Sequence, residues 1–243
     1  MFSLQRWTQS ISDRAVSHCR KEASRRRPLD LWTMGGRQRL SGGMELVEGL
    51  IIVLFTDVEG STELSTRRGD IAARDLLRTQ EELVRAQVAS HRGQVAGGRG
   101  DGFLVTFASA RRALACAVGI QRALEEHASS APHEHVRVRV GLNAGEVAEE
   151  HGELYGAAVN AAARVCAQAK GGEILVSSVV KDLAGTVPGI SFLDRGWVRL
   201  RGFVEDTRLY EVTWLREASG GPGSRRTRLV GRDAEMATLR EWV

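Results

Sequence analysis

Residues 50–62 read LIIVLFTDVEGST, and the architecture of the chain follows from this segment more than from any other. Its first part, Leu50–Phe55, is wholly apolar, which is typical of a short strand buried at the centre of a sheet. It is far shorter than the roughly 20 apolar residues that a membrane-spanning helix requires. The polar turn after it begins with Thr56 and Asp57, so a carboxylate emerges where the buried strand ends. Turns of this kind direct backbone N–H groups outward and are suited to binding phosphate oxygens.

Downstream of this segment the apolar residues alternate between helical and strand spacing. Helices are predicted over about 71–90, 110–127 and 157–168. Strands are predicted at 94–98 and 103–107 joined by a Gly-Asp-Gly turn, at 136–142 with 145–149 as its partner, at 173–177, and in a closing hairpin of 192–200 with 207–212. This order predicts an α+β fold, a ferredoxin-like βαββαβ sheet with helices on one face plus C-terminal strands.

Charge is distributed unevenly and divides the chain into three parts. Residues 1–43 contain nine basic and three acidic residues, show no sustained period and are predicted to be a flexible extension; translation from Met44 is the alternative. Residues 44–215 contain 19 basic and 23 acidic residues and are predicted to form one mildly acidic domain. Residues 216–243 begin with a Gly-, Ser- and Arg-rich linker. The basic excess therefore comes from the ends, and no direct nucleic-acid binding is expected.

The composition of the chain indicates its cellular location and the role of its cysteines. Apolar residues make up 42% of the chain and charged residues 26%, as in globular proteins. No signal peptide or membrane-spanning run is evident, so a cytoplasmic location without a membrane partner is expected. Three widely spaced cysteines, Cys19, Cys116 and Cys166, fit neither a zinc site nor a disulfide framework.

Three short motifs in the predicted domain carry candidate functional side chains. Asp57 ends the central strand, Asp101 lies at the tip of the Gly-Asp-Gly hairpin, and Asn160 and Arg164 share a helix face because they are four residues apart. If the two strands are neighbours, the two carboxylates converge, and such a pair with a triphosphate is what one or two Mg²⁺ ions require. Each motif alone is common in turns or on helix surfaces. Their occurrence together and in this order indicates a site.

These motifs, Phe55–Thr62, Gly100–Phe103 and Val159–Arg164, resemble the three core motifs of class III adenylate and guanylate cyclase catalytic domains. The form is similar to that of actinobacterial domains that precede ATPase and DNA-binding regulator regions, and the resemblance covers residues 50–212. It implies a homodimer with two composite sites at the interface. There ATP or GTP would be converted to the 3′,5′-cyclic nucleotide and pyrophosphate with two Mg²⁺ or Mn²⁺ ions.

The resemblance also implies roles for individual residues. Asp57 and Asp101, with the backbone of Val58, would hold the metal ions. The turn that follows would bind the β- and γ-phosphates through Gly60, Ser61 and Thr62.

The partner subunit would complete each site. The resemblance implies that Asn160 of the partner subunit orients the ribose and that Arg164 of the partner subunit stabilises charge on the α-phosphate. Arg201 falls near the position where the family keeps a basic phosphate contact.

Two purine-reading positions depart from the family pattern. The position usually occupied by an adenine-selecting Lys is Gly97, and the position of its usual Asp partner is Glu153. Either Arg99, which has the strand parity of Gly97, replaces the missing donor, or the pocket lacks one and turnover is slow or base-promiscuous. A weak or promiscuous cyclase is the expected function. The alternative is an inactive cyclase-homology domain that acts as a nucleotide-binding or dimerisation sensor of a transcriptional regulator.

The C-terminal residues suggest a regulatory context. Residues 229–235 resemble the opening of ATPase domains in bacterial transcription regulators, and the chain ends before any Gly-x-x-x-x-Gly-Lys-Ser/Thr motif. A truncated ATPase-like segment is therefore expected, with an ATPase or DNA-binding regulator as a candidate partner. A third class of function, a nucleic-acid module, would rest on the Arg-rich ends. It predicts binding that is lost when residues 1–43 and 216–243 are removed.

Overall fold

The computed structural model describes residues 38–39, 44–61, 69–99, 101–131, 136–150 and 153–214. Its strands are β1 Gln38–Arg39, β2 Met44–Val58, β3 Gln94–Arg99, β4 Gly102–Phe107, β5 Val138–Glu150, β6 Glu153–Tyr155, β7 Ile174–Ser177, β8 Ile190–Arg199 and β9 Asp206–Trp214. Its helices are α1 Asp70–Ser90, α2 Ala110–Ser130, α3 Ala157–Gln168 and α4 Ser178–Ala184. None of the helices in these ranges is both long and apolar enough to cross a bilayer. The predicted linker and ATPase-like segment, and most of the predicted N-terminal extension, lie outside the described residues.

Within the described residues the strands form one sheet in the order β3-β4-β2-β5-β7-β9-β8, with β1 added to β2 and β6 to β5. Strand β2 lies inside the sheet, antiparallel to β4 on one side and to β5 on the other. Residues 52–58 of β2 are all buried, as expected for a strand with a continuous apolar run. Strands β5 and β7 are parallel, and the β8–β9 hairpin closes the sheet as predicted.

Different helices cover the two faces of the sheet. Ile52 and Leu54 share a core with apolar side chains of α1 and α2, whereas Val53 and Phe55 share a second core with the Ala- and Val-rich side of α3. Successive side chains of a strand point to opposite faces, so β2 contributes to both cores. The predicted α+β arrangement with its βαββαβ unit is observed. The expectation that the helices lie on one face holds for α1 and α2, whereas α3 covers the opposite face.

Strand β5 differs from its prediction. Two short paired strands were expected at 136–142 and 145–149, but Val138–Glu150 is one continuous strand. It pairs with β2 along its whole length, across a register shift between Val47 and Ile51 where Gly49 has a φ of +114°. The two halves of β5 therefore pair with β2 and not with each other: residues 138–142 lie opposite residues 54–58, and residues 143–150 lie opposite the earlier part of β2.

Candidate active site

The two carboxylates expected to converge lie at neighbouring strand ends. Asp57 is the second-to-last residue of β2, and its Cα is in register with that of Gly102 at the start of β4. Asp101 immediately precedes Gly102, in the turn between β3 and β4. Both are buried, with 3% and 6% of their surface exposed. Their juxtaposition follows from the antiparallel pairing of β2 with β4, as the sequence motifs had predicted.

The turn after β2 connects directly to this acidic pair. Ser61 is buried, and its hydroxyl donates a hydrogen bond to Oδ2 of Asp101. Gly60 has a φ of +69°, a left-handed conformation that favours glycine and lets the chain turn sharply after Val58. Thr62, the last residue predicted for this loop, lies outside the described residues.

Asp57 has a partner that the sequence analysis missed. Its Oδ2 accepts a hydrogen bond from Nε of Arg139 at 2.8 Å and another from Nη2 at 2.5 Å. Arg139 lies on β5 with its Cα in register with that of Asp57. The alternation Val-Arg-Val-Arg-Val showed only that arginines occupy one face of this strand; which residue they oppose depends on the pairing register.

Burial dominates the acidity of Asp57. The loss of solvent around its side chain raises the pKa of Asp57 to about 6, although the charge and hydrogen bonds of Arg139 lower it, and the negative charge of Asp101 raises it further. A carboxylate under these conditions is stabilised by any additional cation that reaches it.

The acidic pair fits a divalent cation bound together with a polyphosphate. Carboxylate and backbone oxygens are the ligands that Mg²⁺ and Mn²⁺ prefer. Across the described residues no group of three or more His, Cys, Asp and Glu side chains is placed to hold a metal ion. Two carboxylates suffice for Mg²⁺, which usually keeps waters and takes further ligands from substrate phosphates.

A second, cationic group is built around α3. Asn160 and Arg164 are both half-buried on this helix. Burial lowers the pKa of Arg164, and the positive charge of Arg201 lowers it further. Arg201 lies in the turn between β8 and β9, so long-range folding brings its charge close enough to act on Arg164. Two like charges held close together favour an anion between them.

The position of α3 is determined by strand β5. A Cβ on Gly141 would lie 2.1 Å from the backbone N of Cys166, and a Cβ on Gly145 would lie 2.8 Å from Cβ of Ala158. The side-chain amide of Asn143 also donates to the carbonyl oxygen of Ala158 at 3.3 Å. The helix therefore rests almost directly on the strand backbone, and this contact sets where its polar residues lie.

The predicted base-reading residues occupy two strands. Gly97 and Arg99 are on β3, in register with Leu104 and Gly102 respectively, so the position of Arg99 lies across β4 from that of Asp57. Glu153 begins β6 and accepts a hydrogen bond from the hydroxyl of Tyr155 at 2.6 Å. The contact of Tyr155 with Glu153 was not predicted from the sequence, because a contact between residues two positions apart on a three-residue strand leaves no periodic signal.

Comparison with known proteins gives a match over most of the described residues. A family model described as the adenylate and guanylate cyclase catalytic domain matches residues 47–215. A curated protein of Rhizobium meliloti (strain 1021) named "Putative adenylate cyclase 3" is 30% identical over 166 residues, which are 68% of this chain and 28% of that protein. The chain thus spans less than a third of that relative's length.

Solved structures share the fold. An adenylate/guanylate cyclase/hydrolase from Silicibacter pomeroyi has a TM-score of 0.63 and 29% identity, and the match covers 72% of this chain and 99% of that one. The adenylyl cyclase CyaB from P. aeruginosa has a TM-score of 0.62 and 23% identity, over 70% of this chain and 97% of that one. At 23% identity the likeness concerns the fold alone. The α+β architecture predicted from the sequence is thereby confirmed.

Proposed function

The chain belongs to the family of adenylate and guanylate cyclase catalytic domains, and on this premise we propose that it converts ATP or GTP to the 3′,5′-cyclic nucleotide and pyrophosphate in a homodimer. The observation that carries the proposal is the buried pair of Asp57 and Asp101 at neighbouring strand ends. Its sequence neighbours are the phosphate-binding turn and the hairpin that the family motifs require.

The reaction replaces a phosphoanhydride bond by a phosphoester bond. The ribose 3′-oxygen bonds to the α-phosphorus, the bond from that phosphorus to the bridging oxygen breaks, and pyrophosphate leaves with the electron pair while the hydroxyl proton passes to water. Asp57, Asp101 and the backbone carbonyl of Val58 would hold two Mg²⁺ or Mn²⁺ ions, which when bound would acidify the 3′-hydroxyl and neutralise the triphosphate. The backbone N–H groups after Val58, through Gly60, Ser61 and Thr62, bind the terminal phosphates.

The partner subunit supplies the remaining groups. Asn160 of the partner subunit orients the ribose, and Arg164 of the partner subunit stabilises the charge that develops on the α-phosphate. Arg201 lies close enough to Arg164 to lower its pKa, which supports a shared role in binding the phosphates. In a single chain the neighbours of Asp57 are Arg139 and Asp101. The proposed two-fold dimer would bring the acidic group of one chain to the cationic group of the other.

The choice of base is expected to be weak. Gly97 offers no side-chain donor, and Glu153 is exposed, with one carboxylate oxygen already bonded to Tyr155. Arg99 is placed at the same edge by the strand register and is the candidate substitute donor. A missing hydrogen bond to the base costs about 1–3 kcal/mol, so turnover would be slow or promiscuous rather than absent.

The same departure at Gly97 favours a second candidate, an inactive nucleotide-binding or dimerisation sensor that acts on an ATPase or DNA-binding regulator. The purified protein, supplied with Mn²⁺ and with ATP or GTP in parallel, distinguishes the two when products are identified by mass spectrometry. We expect a cyclic nucleotide from at least one substrate and its loss in Asp57→Asn, Asp101→Asn and Arg164→Ala. Nucleotide binding without product at saturating substrate would favour the sensor and reject the enzyme.

A further inference from the structure

The ion pair between Arg139 and Asp57 has no part in the reaction as described above. The Asp57 side chain is 4% exposed and that of Arg139 is 27% exposed. By comparison, Arg195 pairs with Glu173 and Glu211, whose side chains are both 21% exposed. Charges that are removed from water interact more strongly than charges at the surface. The Arg139–Asp57 pair is therefore a strong contact placed on a candidate metal ligand.

The geometry of the pair makes it a direct competitor for a cation. Both Nε and Nη2 of Arg139 donate to the same oxygen, Oδ2 of Asp57. The two Cα atoms are directly opposite each other in the antiparallel pairing of β2 with β5, one pair before that pairing ends at Val58 and Val138, so the backbone pairing itself holds the two side chains together. A divalent cation at Oδ2 would have to displace the guanidinium or share the oxygen with it, and sharing would place a positive charge beside the metal ion.

We propose that Arg139 is a positioning residue that serves as the resident counter-cation of the metal site: it holds and neutralises Asp57 until a metal ion arrives, and it must release Oδ2 for that ion to bind. This inference rests on the proposed function, because it takes Asp57 as a metal ligand. It implies that Arg139 weakens the binding of a bare cation, so that the metal binds well only when a polyphosphate accompanies it.

The chain offers a matched control two residues away, immediately before the same strand. Arg137 is exposed, and its backbone carbonyl accepts a hydrogen bond from the N–H of Glu59. Replacing either arginine by Gln changes the net charge of the protein equally, but only Arg139→Gln removes the two hydrogen bonds to Asp57. A general electrostatic effect would therefore appear in both variants, whereas relief of competition would appear in one.

The test is a Mn²⁺ titration of the full chain without nucleotide at pH 8.5, with free Mn²⁺ followed by electron paramagnetic resonance. We expect Arg139→Gln to bind Mn²⁺ at least tenfold more tightly than the wild type, and Arg137→Gln to stay within twofold of it. Adding Asp57→Asn to Arg139→Gln should remove the gain. Circular dichroism verifies the fold of each variant.

The outcomes separate this inference from the function on which it rests. Equal affinities of Arg139→Gln and the wild type, with Asp57→Asn weaker than both, would overturn the role of Arg139 and leave Asp57 as a metal ligand. Mn²⁺ binding unaffected by Asp57→Asn would reject the metal site itself. If Arg139→Gln does not fold, Arg139→Lys decides, because one ammonium replaces two donors: tighter Mn²⁺ binding is expected, and unchanged binding overturns the proposal.

Discussion

At the scale of single residues, the candidate site depends most on one buried carboxylate. Asp57 is 3% exposed, and burial raises its pKa to about 6 despite the contact with Arg139. The apolar run before this residue and the polar turn after it predicted that it lies at a strand end. These local patterns could not predict Arg139 as its partner, because the contact joins residues 82 positions apart.

The raised pKa of Asp57 predicts a pH-dependent contribution to stability. The folded state binds the proton of Asp57 more tightly than the unfolded state does. Ionisation of Asp57 therefore lowers the free energy of unfolding as the pH rises above 3.8, and the full loss is reached above about pH 6. The free energy of unfolding of Asp57→Asn, measured relative to that of the wild type, should therefore rise by on the order of 2–3 kcal/mol from pH 4 to pH 7. Urea unfolding of both proteins across this range measures the difference. A constant difference would contradict the pKa shift.

Base choice is the other residue-scale property. Gly97→Lys combined with Glu153→Asp restores the pair that the family uses for adenine, and we expect it to raise kcat/KM for ATP relative to GTP by about ten- to a hundredfold, since one hydrogen bond to a base edge contributes about 1–3 kcal/mol. Initial rates with each nucleotide provide the measurement. Gln94→Lys adds the same charge at an exposed position of β3 and serves as the control. An unchanged ATP/GTP ratio in the double variant would show that these positions do not read the base.

At the scale of elements, the close packing of α3 on β5 sets the position of the cationic group. Gly141 and Gly145 leave no side chain between strand and helix, and the helix in turn carries Asn160 and Arg164. The sequence predicted α3 from its Ala and Val periodicity, but the face of the sheet that it covers follows from the alternation of β2 and from the two glycines of β5.

Alanine at these two glycines should have graded effects. A Cβ at residue 141 would lie 2.1 Å from the backbone N of Cys166, whereas one at residue 145 would lie 2.8 Å from Cβ of Ala158, a less severe overlap. Gly141→Ala should therefore destabilise the protein by about 3 kcal/mol or more and reduce kcat strongly, because displaced phosphate contacts lose transition-state stabilisation. Gly145→Ala should do less of both. Urea unfolding and initial rates test this order, and equal effects would show that the helix is not held by direct contact.

At the scale of the whole molecule, the proposed function treats the acidic pair and the cationic pair of one chain as two half-sites. The acidic pair lies at the ends of β2 and β4, and the cationic pair joins α3 to the β8–β9 turn. The proposed function requires a second copy of the chain to bring the two groups together.

Complementation tests that dependence. Asp57→Asn and Arg164→Ala should each be inactive alone, and a reassociated equimolar mixture should recover up to about a quarter of wild-type activity, since half of the dimers are mixed and each has one intact site of two. Cyclic nucleotide formation is the readout. A mixture of Asp57→Asn with Asp101→Asn should recover nothing, because both changes fall in the same half-site. Failure of the first mixture to recover would place all catalytic groups within one chain.

The amino-acid sequence by itself determined the α+β class, the central strand, the hairpin with Asp101 and the helix with Asn160 and Arg164. Each depends on apolar spacing or turn chemistry within about 20 residues, where local preferences dominate. Only the tertiary structure decided the continuity of β5, the face covered by α3, the proximity of Arg164 to Arg201 and the pairing of Arg139 with Asp57. These depend on strand register and on contacts between distant residues, and a shift of one residue in register reverses which side chains share a face.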